Sequence, residues 1–243
     1  MPSGLSILVP AYNEEHTILP ILDLLLTTQL PDNMDREIIV INDCSTDMTR
    51  YLLDGFAQRH PELPLRIVHQ PSNQGKGAAI RQAIAMASMD YLVVQDADLE
   101  YDPAEFKILL APLMAGKADV VYGSRFMGGK PHRILFFWHT VGNKFLTFLS
   151  NALTNLNLTD METCYKMMRI SVAQSLRLQE NRFGFEPEVT AALAGIPGIR
   201  IYEVGISYYG RTYAEGKKIN WKDGFRAIYC ILKYNIWAKV SSR

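Results

Sequence analysis

The first half of the chain alternates short apolar runs with segments of helical periodicity, and this alternation constrains the fold more than any other feature. The apolar runs predict strands at LSILV (5–9), EIIVI (37–41), LRIVH (65–69), YLVVQ (91–95) and DVVYG (119–123). The segments between them predict helices over about 14–28, 46–59, 76–87 and 104–114. Strands that are apolar on both faces and alternate with helices predict βαβ units around a buried sheet. Right-handed crossovers then build an open, mostly parallel α/β sheet flanked by helices.

Polar segments follow four of these strands directly. They are PAYNEE (10–15), NDCSTD (42–47), QPSNQGKG (70–77) and DADLEYD (96–102). Open parallel sheets bind ligands at the carboxyl ends of their strands, so we expect these segments to meet along one edge. The sequence therefore predicts a ligand site at that edge.

Charge and cysteine content argue against several classes of function. The 243 residues carry 25 basic and 25 acidic side chains, without the basic excess that is typical of general nucleic-acid-binding proteins. Cys44, Cys164 and Cys230 are far apart and lack CxxC spacing. This spacing indicates neither a zinc knuckle nor a disulfide framework, and it favours a reducing compartment. No signal peptide is expected, because no basic region precedes the first apolar run.

The second half of the chain is less regular, and we expect one domain over residues 1–243. Residues 133–156 form an aromatic-rich amphipathic segment, 199–209 predict one or two short strands, and 221–240 predict a C-terminal helix. The nearest candidate for a membrane span, 134–159, contains Lys, His, Asn and Thr residues, so we expect no transmembrane segment.

Asp96 and Asp98 follow a predicted buried strand directly. Two carboxylates two residues apart can act on one ion, and hard oxygen ligands suit Mg²⁺ or Mn²⁺, which usually also binds diphosphate oxygens. The alternative is a helix cap or a solvated turn, since a lone DxD is common by chance. The position at the end of the fourth strand favours the metal site.

The other polar segments carry further candidates. Tyr12 can hold a planar base in a tight loop. Glu14 and Glu15 would favour the start of the following helix through its dipole, and for Glu15 capping alone is an equal alternative. Asp43 ends a strand and can accept hydrogen bonds from a base, while Asp47 reads as a structural cap. The NQGKG segment (73–77) allows close approach of an anion, but it completes neither a P-loop nor a GxGxxG fingerprint.

Taken together, these motifs resemble a known enzyme family. VPAYNEE, INDCSTD, NQGKG and DADLEYDP, in this order and spacing, are similar to the family-2 glycosyltransferases of GT-A fold. GSRF (123–126), TDMETCYK (159–166) and GRTYAEGKKI (210–219) resemble more specifically the polyprenyl-phosphate branch, which includes dolichol-phosphate glucose and mannose synthases. The resemblance covers about residues 5–229. As a set the motifs are highly specific, although each is weak alone.

The resemblance implies a nucleotide-sugar-binding part in residues 1–125 and an acceptor-binding part in residues 126–243. Asp98, together with Asp96, would ligate the metal. Gln95 would orient these carboxylates or would serve only the fold. The implied donor-binding residues are Pro10, Ala11, Tyr12, Glu14, Asp43, Lys76, Gln95 and Asp96.

In the second part, the resemblance implies contacts to the acceptor. Arg125 and Arg133 match positions near the phosphate of a lipid acceptor, where a guanidinium fork suits phosphate. Either arginine is otherwise an ordinary surface charge. Asp160 matches an acidic position near the acceptor, where it would act as a base, organise the acceptor loop, or cap a turn. Asp98, Arg125 and Asp160 are the predicted catalytic residues.

Three basic residues, Arg211, Lys217 and Lys218, match a loop that closes on the sugar diphosphate in such enzymes. Here the loop reads RTYAEGKK rather than the shorter RxGxSK form of the mannose synthases. This departure favours a glucose-type donor, such as a UDP-sugar, over GDP-mannose without excluding the latter.

The implied reaction is a single inverting displacement at the sugar C1 with Mg²⁺ or Mn²⁺ as cofactor. A polyprenyl-phosphate acceptor is already an anion near neutral pH, because the second pKa of a phosphate monoester is about 6. A strong base is then unnecessary. A neutral sugar hydroxyl as acceptor would need one, and Asp160 is the candidate.

Several alternatives stay open or are disfavoured. A family-2 enzyme acting on a soluble or polysaccharide acceptor and a non-catalytic nucleotide-sugar-binding protein both remain. A nucleotidyltransferase is disfavoured, because the loop after the first strand is PAYNEE rather than a Gly-rich basic loop. A dinucleotide-dependent oxidoreductase is disfavoured because the first βα turn lacks the required glycines.

Two segments predict contact with a membrane surface. Residues 205–243 contain eight Lys or Arg against Glu215 and Asp223, and the helix at 221–240 mixes these cations with aromatics. The segment at 133–156 contains FFW (136–138). Amphipathic helices of this composition bind anionic interfaces. The alternative is that both segments pack on the core. We expect a cytoplasmic enzyme, peripheral on the cytoplasmic face of a membrane. The sequence leaves open the sugar, the base, the lipid length and the oligomeric state.

Overall fold

A seven-stranded sheet carries the fold. The computed structural model describes residues 4–134, 136–212, 215 and 221–237. The strands are β1 (Gly4–Ala11), β2 (Asp35–Asn42), β3 (Leu65–His69), β4 (Tyr91–Val94), β5 (Val120–Ser124), β6 (Lys166–Arg169) and β7 (Ile201–Gly205). Their order in the sheet is β3-β2-β1-β4-β6-β5-β7. Only β6 runs antiparallel to its neighbours, β4 and β5, within this sheet. The predicted open, mostly parallel sheet is therefore confirmed.

Helices connect the strands and flank the sheet. They are α1 (Ile18–Thr27), α2 (Thr49–Arg59), α3 (Lys76–Met86), α4 (Phe106–Met114), α5 (Phe137–Thr154), α6 (Ile170–Ser175), α7 (Phe185–Ala194) and α8 (Trp221–Leu232). Short 3₁₀ turns occupy Pro31–Asn33 and Pro103–Glu105, and a π-helical turn, Lys233–Trp237, extends α8. The four helices predicted in the first half are present, but α1, α2 and α4 begin later than predicted.

The late start of α1 has a specific cause. The backbone N–H of Asn13 donates to Ser45 Oγ at 3.0 Å, and that of Glu14 donates to Thr49 Oγ1 at 2.8 Å. The N–H of Glu15 donates to Asp47 Oδ2 at 3.1 Å. These bonds tie the loop after β1 to the loop after β2, so the residues before Ile18 form a turn instead of the first turn of a helix.

The central strands are buried on both faces, as their continuous apolar runs predict. In β2 the four residues Ile38–Ile41 are fully buried, and Leu5, Ile7, Leu8 and Val9 of β1 are equally so. Burial of this kind is typical of a parallel sheet covered by helices on both sides. It fixes the position of the strand ends, and hence of the loops that follow them.

The carboxyl ends of the parallel strands are aligned with one another. Ala11 pairs with Asn42, and Asn42 pairs with His69. The segments after β1, β2 and β3 therefore leave the sheet at the same edge, together with the segment after β4.

The strand β6 was not expected from the sequence. Because this strand is antiparallel, it begins at the edge where β4 ends. The backbone N–H of Cys164 donates to the Tyr101 hydroxyl at 3.1 Å, and the Tyr165 hydroxyl donates to Gln95 Oε1 at 2.6 Å. The segment that precedes β6 is thereby brought to the same edge as the DADLEYD loop.

The remaining second-half predictions are largely confirmed. The aromatic segment at 133–156 contains α5, and 199–209 contains β7 followed by an isolated bridge between His132 and Tyr208. The C-terminal helix predicted over 221–240 is helical from 221 to 237, and the rest lies outside the described residues. Within the described ranges, no helix has both the length and the apolar character needed to cross a membrane.

Candidate active site

The four polar segments meet in one cleft at the carboxyl edge of the sheet. The cleft has a volume of about 660 Å³. The first half of the chain lines it with Pro10, Ala11, Tyr12, Glu14, Asp43, Asn73, Gly75, Lys76, Ala79, Asp96, Ala97, Asp98, Glu100 and Tyr101. The second half contributes Arg125, Glu162, Cys164, Arg182, Phe183, Glu186, Tyr208 and Arg211. The predicted convergence of these loops is therefore present in the structure.

Asp43 organises one wall of the cleft. Its Oδ1 and Oδ2 accept hydrogen bonds from the backbone N–H groups of Gln74 and Gly75, each at 2.7 Å. Gly75 has a φ of +99°, and a Cβ there would lie 2.4 Å from the carbonyl oxygen of Asn181. Both the left-handed backbone and the close approach require glycine at this position. An ionised carboxylate offers about four acceptor positions, so Asp43 retains capacity for a ligand.

Asp96 is held by the lysine of the same loop. Lys76 Nζ lies 2.9 Å from Asp96 Oδ2 and 3.3 Å from Glu186 Oε1. Burial opposes the positive charge of Lys76, but Asp96 and Glu186 outweigh it and raise the lysine pKa well above its usual value. Lys76 therefore stays charged and fixes the position of Asp96.

Asp98 lies in an acidic part of the cleft. Its Oδ1 accepts from the backbone N–H of Glu100 at 3.1 Å, and its Oδ2 lies 3.4 Å from Arg211 Nη2. Burial, followed by the charges of Asp96 and Glu100, raises the pKa of Asp98 to about 7, while Arg211 opposes the shift. This carboxylate gains stability from any cation that approaches it.

Arg211 supplies positive charge to this acidic group. Its Nη1 lies 3.3 Å from Glu14 Oε2, and its backbone N–H donates to Glu100 Oε1 at 2.6 Å. The guanidinium thus faces the carboxylates of Glu14, Asp98 and Glu100 together. The basic loop predicted to close on a diphosphate begins at this residue, whereas Lys217 and Lys218 lie outside the described residues.

The carboxylate side chains of the cleft suit a divalent metal for which the protein supplies only some of the ligands. Within the described part of the chain, no three His, Cys, Asp or Glu side chains are grouped as a ready-made metal site. Mg²⁺ is usually bound through one or two carboxylates and completes its shell with water and substrate phosphates. Asp98 and Asp96 match that requirement, since both line the cleft and Asp98 carries an unfavourable negative charge.

Arg125 and Asp160 form a two-point ion pair at the cleft. Arg125 Nε and Nη2 donate to the two carboxylate oxygens of Asp160 at 2.7 and 2.8 Å. Asp160 is completely buried, whereas Arg125 lines the cleft. The guanidinium also lies 5.2 Å from the centre of the Tyr208 ring. Asp160 therefore reaches the cleft only through Arg125.

Comparison with known protein families decides the class of this protein. The model of the family described as glycosyl transferase family 2 matches residues 6–177, which include most of β1, the strands β2 to β6 and the DAD motif. The chain belongs to glycosyl transferase family 2. Its sheet with flanking helices is the GT-A fold.

Curated relatives of this glycosyltransferase carry names from lipid-linked sugar synthesis. A dodecaprenyl-phosphate galacturonate synthase of Rhizobium johnstonii is 26% identical over 213 residues, which cover 88% of this chain and 61% of the relative. A dolichyl-phosphate beta-glucosyltransferase of Trichomonas vaginalis is 26% identical over 253 residues, covering 98% of this chain and 75% of the relative. This chain thus spans less than two thirds of the first relative's length.

A solved structure has the same fold. Glucosyl-3-phosphoglycerate synthase of Mycobacterium tuberculosis, in complex with Mn²⁺, UDP and phosphoglyceric acid, superposes with a TM-score of 0.72 at 20% identity. The match covers 96% of this glycosyltransferase and 79% of the solved chain. Another structure of that synthase holds Mg²⁺ and UDP.

Three predicted site residues of the glycosyltransferase do not lie in the cleft. Gln95 is fully buried beneath it and donates to the backbone carbonyl of Asp96 at 3.0 Å. The predicted substrate contact by Gln95 is therefore wrong, and this side chain instead supports the DAD segment. Arg133 donates to Glu215 at 2.8 Å and does not line the cleft. Asp160, as described above, is shielded by Arg125. Contacts with residues that are distant in the sequence decide where each of these three side chains lies.

The cleft also contains residues that the sequence analysis did not single out. They are Glu100, Tyr101, Glu162, Cys164, Arg182, Phe183, Glu186 and Tyr208. Glu100 and Tyr101 lie within the DADLEYD motif, and Glu162 and Cys164 lie within TDMETCYK. Membership of these motifs could have identified the four residues as site candidates. Glu186 lies in the first turn of α7, a helix that was not predicted.

Proposed function

We propose that this glycosyltransferase transfers a hexose from a nucleoside diphosphate sugar to a polyprenyl phosphate, with inversion at the sugar C1. One observation carries the proposal: the carboxylates of Asp96 and Asp98 and the guanidinium of Arg125 line the same cleft. The two carboxylates suit a metal diphosphate, and the guanidinium suits a phosphate acceptor. The donor is a UDP-sugar of the glucose type or GDP-mannose.

The donor side belongs to residues 1–125, which we propose as the nucleotide-sugar-binding part of a single domain. Tyr12 is 38% exposed and lines the cleft, where an aromatic ring would stack on a base. Pro10 and Ala11 end β1 beside it, and Asp43 retains acceptor capacity for a base N–H. Asp96 and Lys76 also line the cleft and would contact the ribose and diphosphate.

Asp98, with Asp96, would hold Mg²⁺ or Mn²⁺. When bound, the metal supplies positive charge that stabilises the departing diphosphate. Arg211 adds a guanidinium to the same region, and Lys217 and Lys218 of the same loop are proposed to contact the diphosphate as well. The supporting observation is the acidic surplus around Asp98, which favours a bound cation.

Arg125 would bind and orient the acceptor phosphate. A phosphate oxygen attacks C1, the bond from C1 to the diphosphate oxygen breaks, and the diphosphate leaves with the electron pair. The acceptor is ionised near neutral pH, since its second pKa is about 6, and no proton has to be removed. Asp160 is then a positioning residue for Arg125. Arg133 would act at most at the rim of the acceptor-binding part, residues 126–243.

An exposed aromatic surface supports a lipid acceptor over a soluble one. On α5, Phe137, Trp138 and Phe148 are 69%, 76% and 69% exposed. The packed neighbour α8 exposes Phe225 (66%) and Tyr229 (44%). Exposed aromatics on adjacent helices are typical of segments that lie in a membrane interface. We propose that the protein is peripheral on the cytoplasmic face of a membrane, with these helices against the lipid.

Relatives named for dodecaprenyl- and dolichyl-phosphate sugar transfer support the same acceptor class. The solved synthase in complex with phosphoglyceric acid supports the alternative of a soluble phosphorylated acceptor. Both acceptors present a phosphate or carboxylate to a cationic residue, so the cleft alone favours neither. The exposed surface of α5 favours the lipid.

The test measures nucleoside diphosphate release from a panel of UDP- and GDP-sugars with Mn²⁺ or Mg²⁺. Each donor is offered alone, with a short polyprenyl phosphate, and with phosphoglyceric acid. Release that requires one donor, a metal and the lipid is the expected result. Release stimulated only by phosphoglyceric acid supports the soluble acceptor. Failure of every UDP and GDP compound to bind overturns the proposed reaction.

A further inference from the structure

A chain of hydrogen bonds leads from α2 and β3 to the loop that carries Asp43. His69 is the last residue of β3, and it pairs with Asn42, the last residue of β2. His69 Nδ1 lies 2.9 Å from Asn42 Nδ2, and His69 Nε2 lies 2.9 Å from Asp54 Oδ1. These three side chains do not line the cleft. Any part that they play in ligand binding must therefore act through the loop.

The loop itself fixes the orientation of the Asn42 amide. Asn42 Oδ1 accepts hydrogen bonds from the backbone N–H of Ser45 at 3.1 Å and from the Ser45 hydroxyl at 2.5 Å. A backbone N–H can only donate, so the oxygen of the amide must face Ser45. Asn42 is only 1% exposed, so its amide depends on protein partners. The Asn42 NH₂ group therefore points to His69.

This orientation sets the protonation of the His69 ring. An amide NH₂ group is a donor only, so Nδ1 of the ring must accept and carries no proton. The ring proton then lies on Nε2, which donates to the Asp54 carboxylate. The chain of bonds is complete only with a neutral ring in this one tautomer, because a proton on Nδ1 would place two donors 2.9 Å apart.

The charged neighbours of the ring act in opposite directions. In the described part of the chain, Asp54 of α2 is the charged group within hydrogen-bond distance, and Arg50 lies 3.8 Å from its other carboxylate oxygen. From β2 the ring meets the neutral Asn42, while the Cys44 thiol beyond β2 bonds a backbone carbonyl of the loop after β3. The His69 side chain is 18% exposed, so solvent can protonate it. A charged ring keeps its bond to Asp54 and loses its bond to Asn42.

Asn42 connects the ring to two loops of the cleft. Ser45 Oγ, which donates to Asn42, accepts a hydrogen bond from the backbone N–H of Asn13 at 3.0 Å. Asn13 follows Tyr12, and Asp43 follows Asn42. Tyr12 and Asp43 both line the cleft. The orientation of one buried amide thus holds together the two loops that carry these side chains.

We propose that His69 is a positioning residue for the nucleotide base. The neutral ring holds Asn42, and Asn42 holds the loops that carry Tyr12 and Asp43. Protonation of the ring releases Asn42, so nucleotide affinity falls in acid. This inference rests on the proposed function, since it places the base between these two loops.

The first test observes the ring directly in the ligand-free protein. Nitrogen chemical shifts of the His69 imidazole, measured by NMR, distinguish the two neutral tautomers and the cation. We expect a bare Nδ1 and a protonated Nε2 at about pH 8. A proton on Nδ1 at that pH would overturn the inference, whatever the protein binds.

The second test measures the dissociation constants of UDP and GDP with Mn²⁺ at about pH 8 and about pH 5.5. His69→Asn places an amide oxygen at the position of Nδ1, in a side chain that does not titrate. The two proteins should bind equally at about pH 8. At about pH 5.5 the wild type should bind about fivefold more weakly than the variant, as expected for one lost hydrogen bond. Protonation of the diphosphate affects both proteins alike, so the ratio of their constants isolates His69.

Two further variants control this result. His69→Leu removes the acceptor and should weaken binding about fivefold already at about pH 8. His60→Asn removes a histidine outside the cleft, whose Nδ1 lies 3.6 Å from Glu62 Oε1, and it should keep the wild-type response to pH. Thermal unfolding at both pH values checks that each variant is folded. If His69→Leu does not fold, His69→Asn still carries the test.

The outcomes separate this inference from the proposed function. If a nucleotide binds but the ratio of wild type to His69→Asn is the same at both pH values, the positioning role is overturned and glycosyl transfer stands. An equal loss of the acid response in His60→Asn also overturns the positioning role. If neither UDP nor GDP binds, the proposed function fails and the positioning role fails with it, even where the ring has the expected tautomer.

Discussion

Arg125 and Asp160 are joined by two parallel hydrogen bonds, and only the arginine of the pair reaches the cleft. The backbone N–H of Arg125 also donates to Asp160 Oδ2 at 3.0 Å. A buried carboxylate that holds both the side chain and the backbone of an arginine fixes its direction. The pair therefore acts as one unit, with Arg125 as the contact and Asp160 as its support.

We predict that Asp160→Asn lowers kcat/KM for the acceptor by about 100-fold. Without its partner the Arg125 guanidinium moves, and a misplacement of about 1 Å slows a reaction by about this factor. The effect should fall mainly on acceptor KM, and donor affinity should be unchanged. Arg125→Lys should have a similar effect, and the double variant should be little worse than either single one. Steady-state kinetics with varied acceptor checks this.

A matched control exists in the same molecule. Arg200 forms a comparable two-point pair with Asp119, at 2.9 and 2.7 Å, outside the cleft. Asp119→Asn should alter stability without altering acceptor KM. If Asp160 were instead a general base, Asp160→Asn would lower kcat and remove the acidic limb of the pH profile while acceptor KM stayed normal.

Removal of the metal or of its proposed ligand should stop turnover. We expect EDTA to abolish nucleoside diphosphate release and Mn²⁺ or Mg²⁺ to restore it. Asp98→Asn should lower kcat by at least about 100-fold and should not be rescued by excess metal, since the charge that would hold the cation is gone. Asp102→Asn is the control, because Asp102 only caps a 3₁₀ turn through the N–H of Ala104. A fully active Asp98→Asn would contradict the metal assignment.

Arg211 neutralises the carboxylates around Asp98, so its removal should make the fold depend on added cations. Without metal, Arg211→Met should be less stable by about 1–3 kcal/mol, because Glu14, Asp98 and Glu100 lose their shared partner. Mn²⁺ should raise the Tm of Arg211→Met more than that of the wild type. Thermal unfolding with and without Mn²⁺ measures this. An equal rise in both proteins would argue that Arg211 and the metal do not serve the same carboxylates.

The exposed aromatics of α5 should decide membrane attachment. Trp138 is 76% exposed, so Trp138→Glu should leave Tm nearly unchanged while it lowers binding to anionic vesicles by about tenfold. Tyr51→Glu on α2 is the matched control, since Tyr51 is 70% exposed on a different helix. Vesicle sedimentation measures the binding. Equal losses in the two variants would mean that binding reflects net charge and not the α5 surface.

Glu180 couples the C-terminal helix to the rest of the fold in a pH-dependent manner. Burial alone would raise its pKa, but hydrogen bonds from Arg226, Tyr234 and Lys233 outweigh burial and lower the pKa to about 2. The unfolded chain holds this group near its ordinary value of 4.5. Since the folded value is the lower one, the stabilisation is fully present above pH 4.5 and is lost as pH falls towards 2.

Glu180→Gln should therefore destabilise the protein at pH 7 by about 1–3 kcal/mol, and the difference from the wild type should shrink as the pH falls below 4.5. Denaturant unfolding of both proteins at several pH values checks this. A difference that stays constant down to pH 3 would show that Glu180 acts through packing rather than charge.

Much of the fold followed from local patterns. LRIVH predicted β3 with its observed bounds, Leu65–His69, and YLVVQ predicted β4 to within one residue. The helix starts were less accurate because residues such as Glu14 and Asp47 bond across to the neighbouring loop. Such pairings join residues more than 30 positions apart, and a local pattern carries no record of them.

The sequence by itself determined that polar loops after four strands meet at one edge. Strand burial is encoded by neighbouring apolar residues, and parallel strands end at one side of a sheet for topological reasons. It also supplied Asp96, Asp98 and Arg125, which line the cleft as predicted.

Only the tertiary structure decided which of the remaining candidates face the ligand. The antiparallel insertion of β6 between β4 and β5 carries residues from 160 to 164 to the site, where Tyr165 bonds Gln95 across 70 positions of sequence. That pairing places Gln95 below the cleft and Asp160 behind Arg125, and it brings Glu162 forward. Strand pairing depends on chain segments that are distant in sequence, so it is fixed by the packing of the whole sheet and not by the residues of one strand.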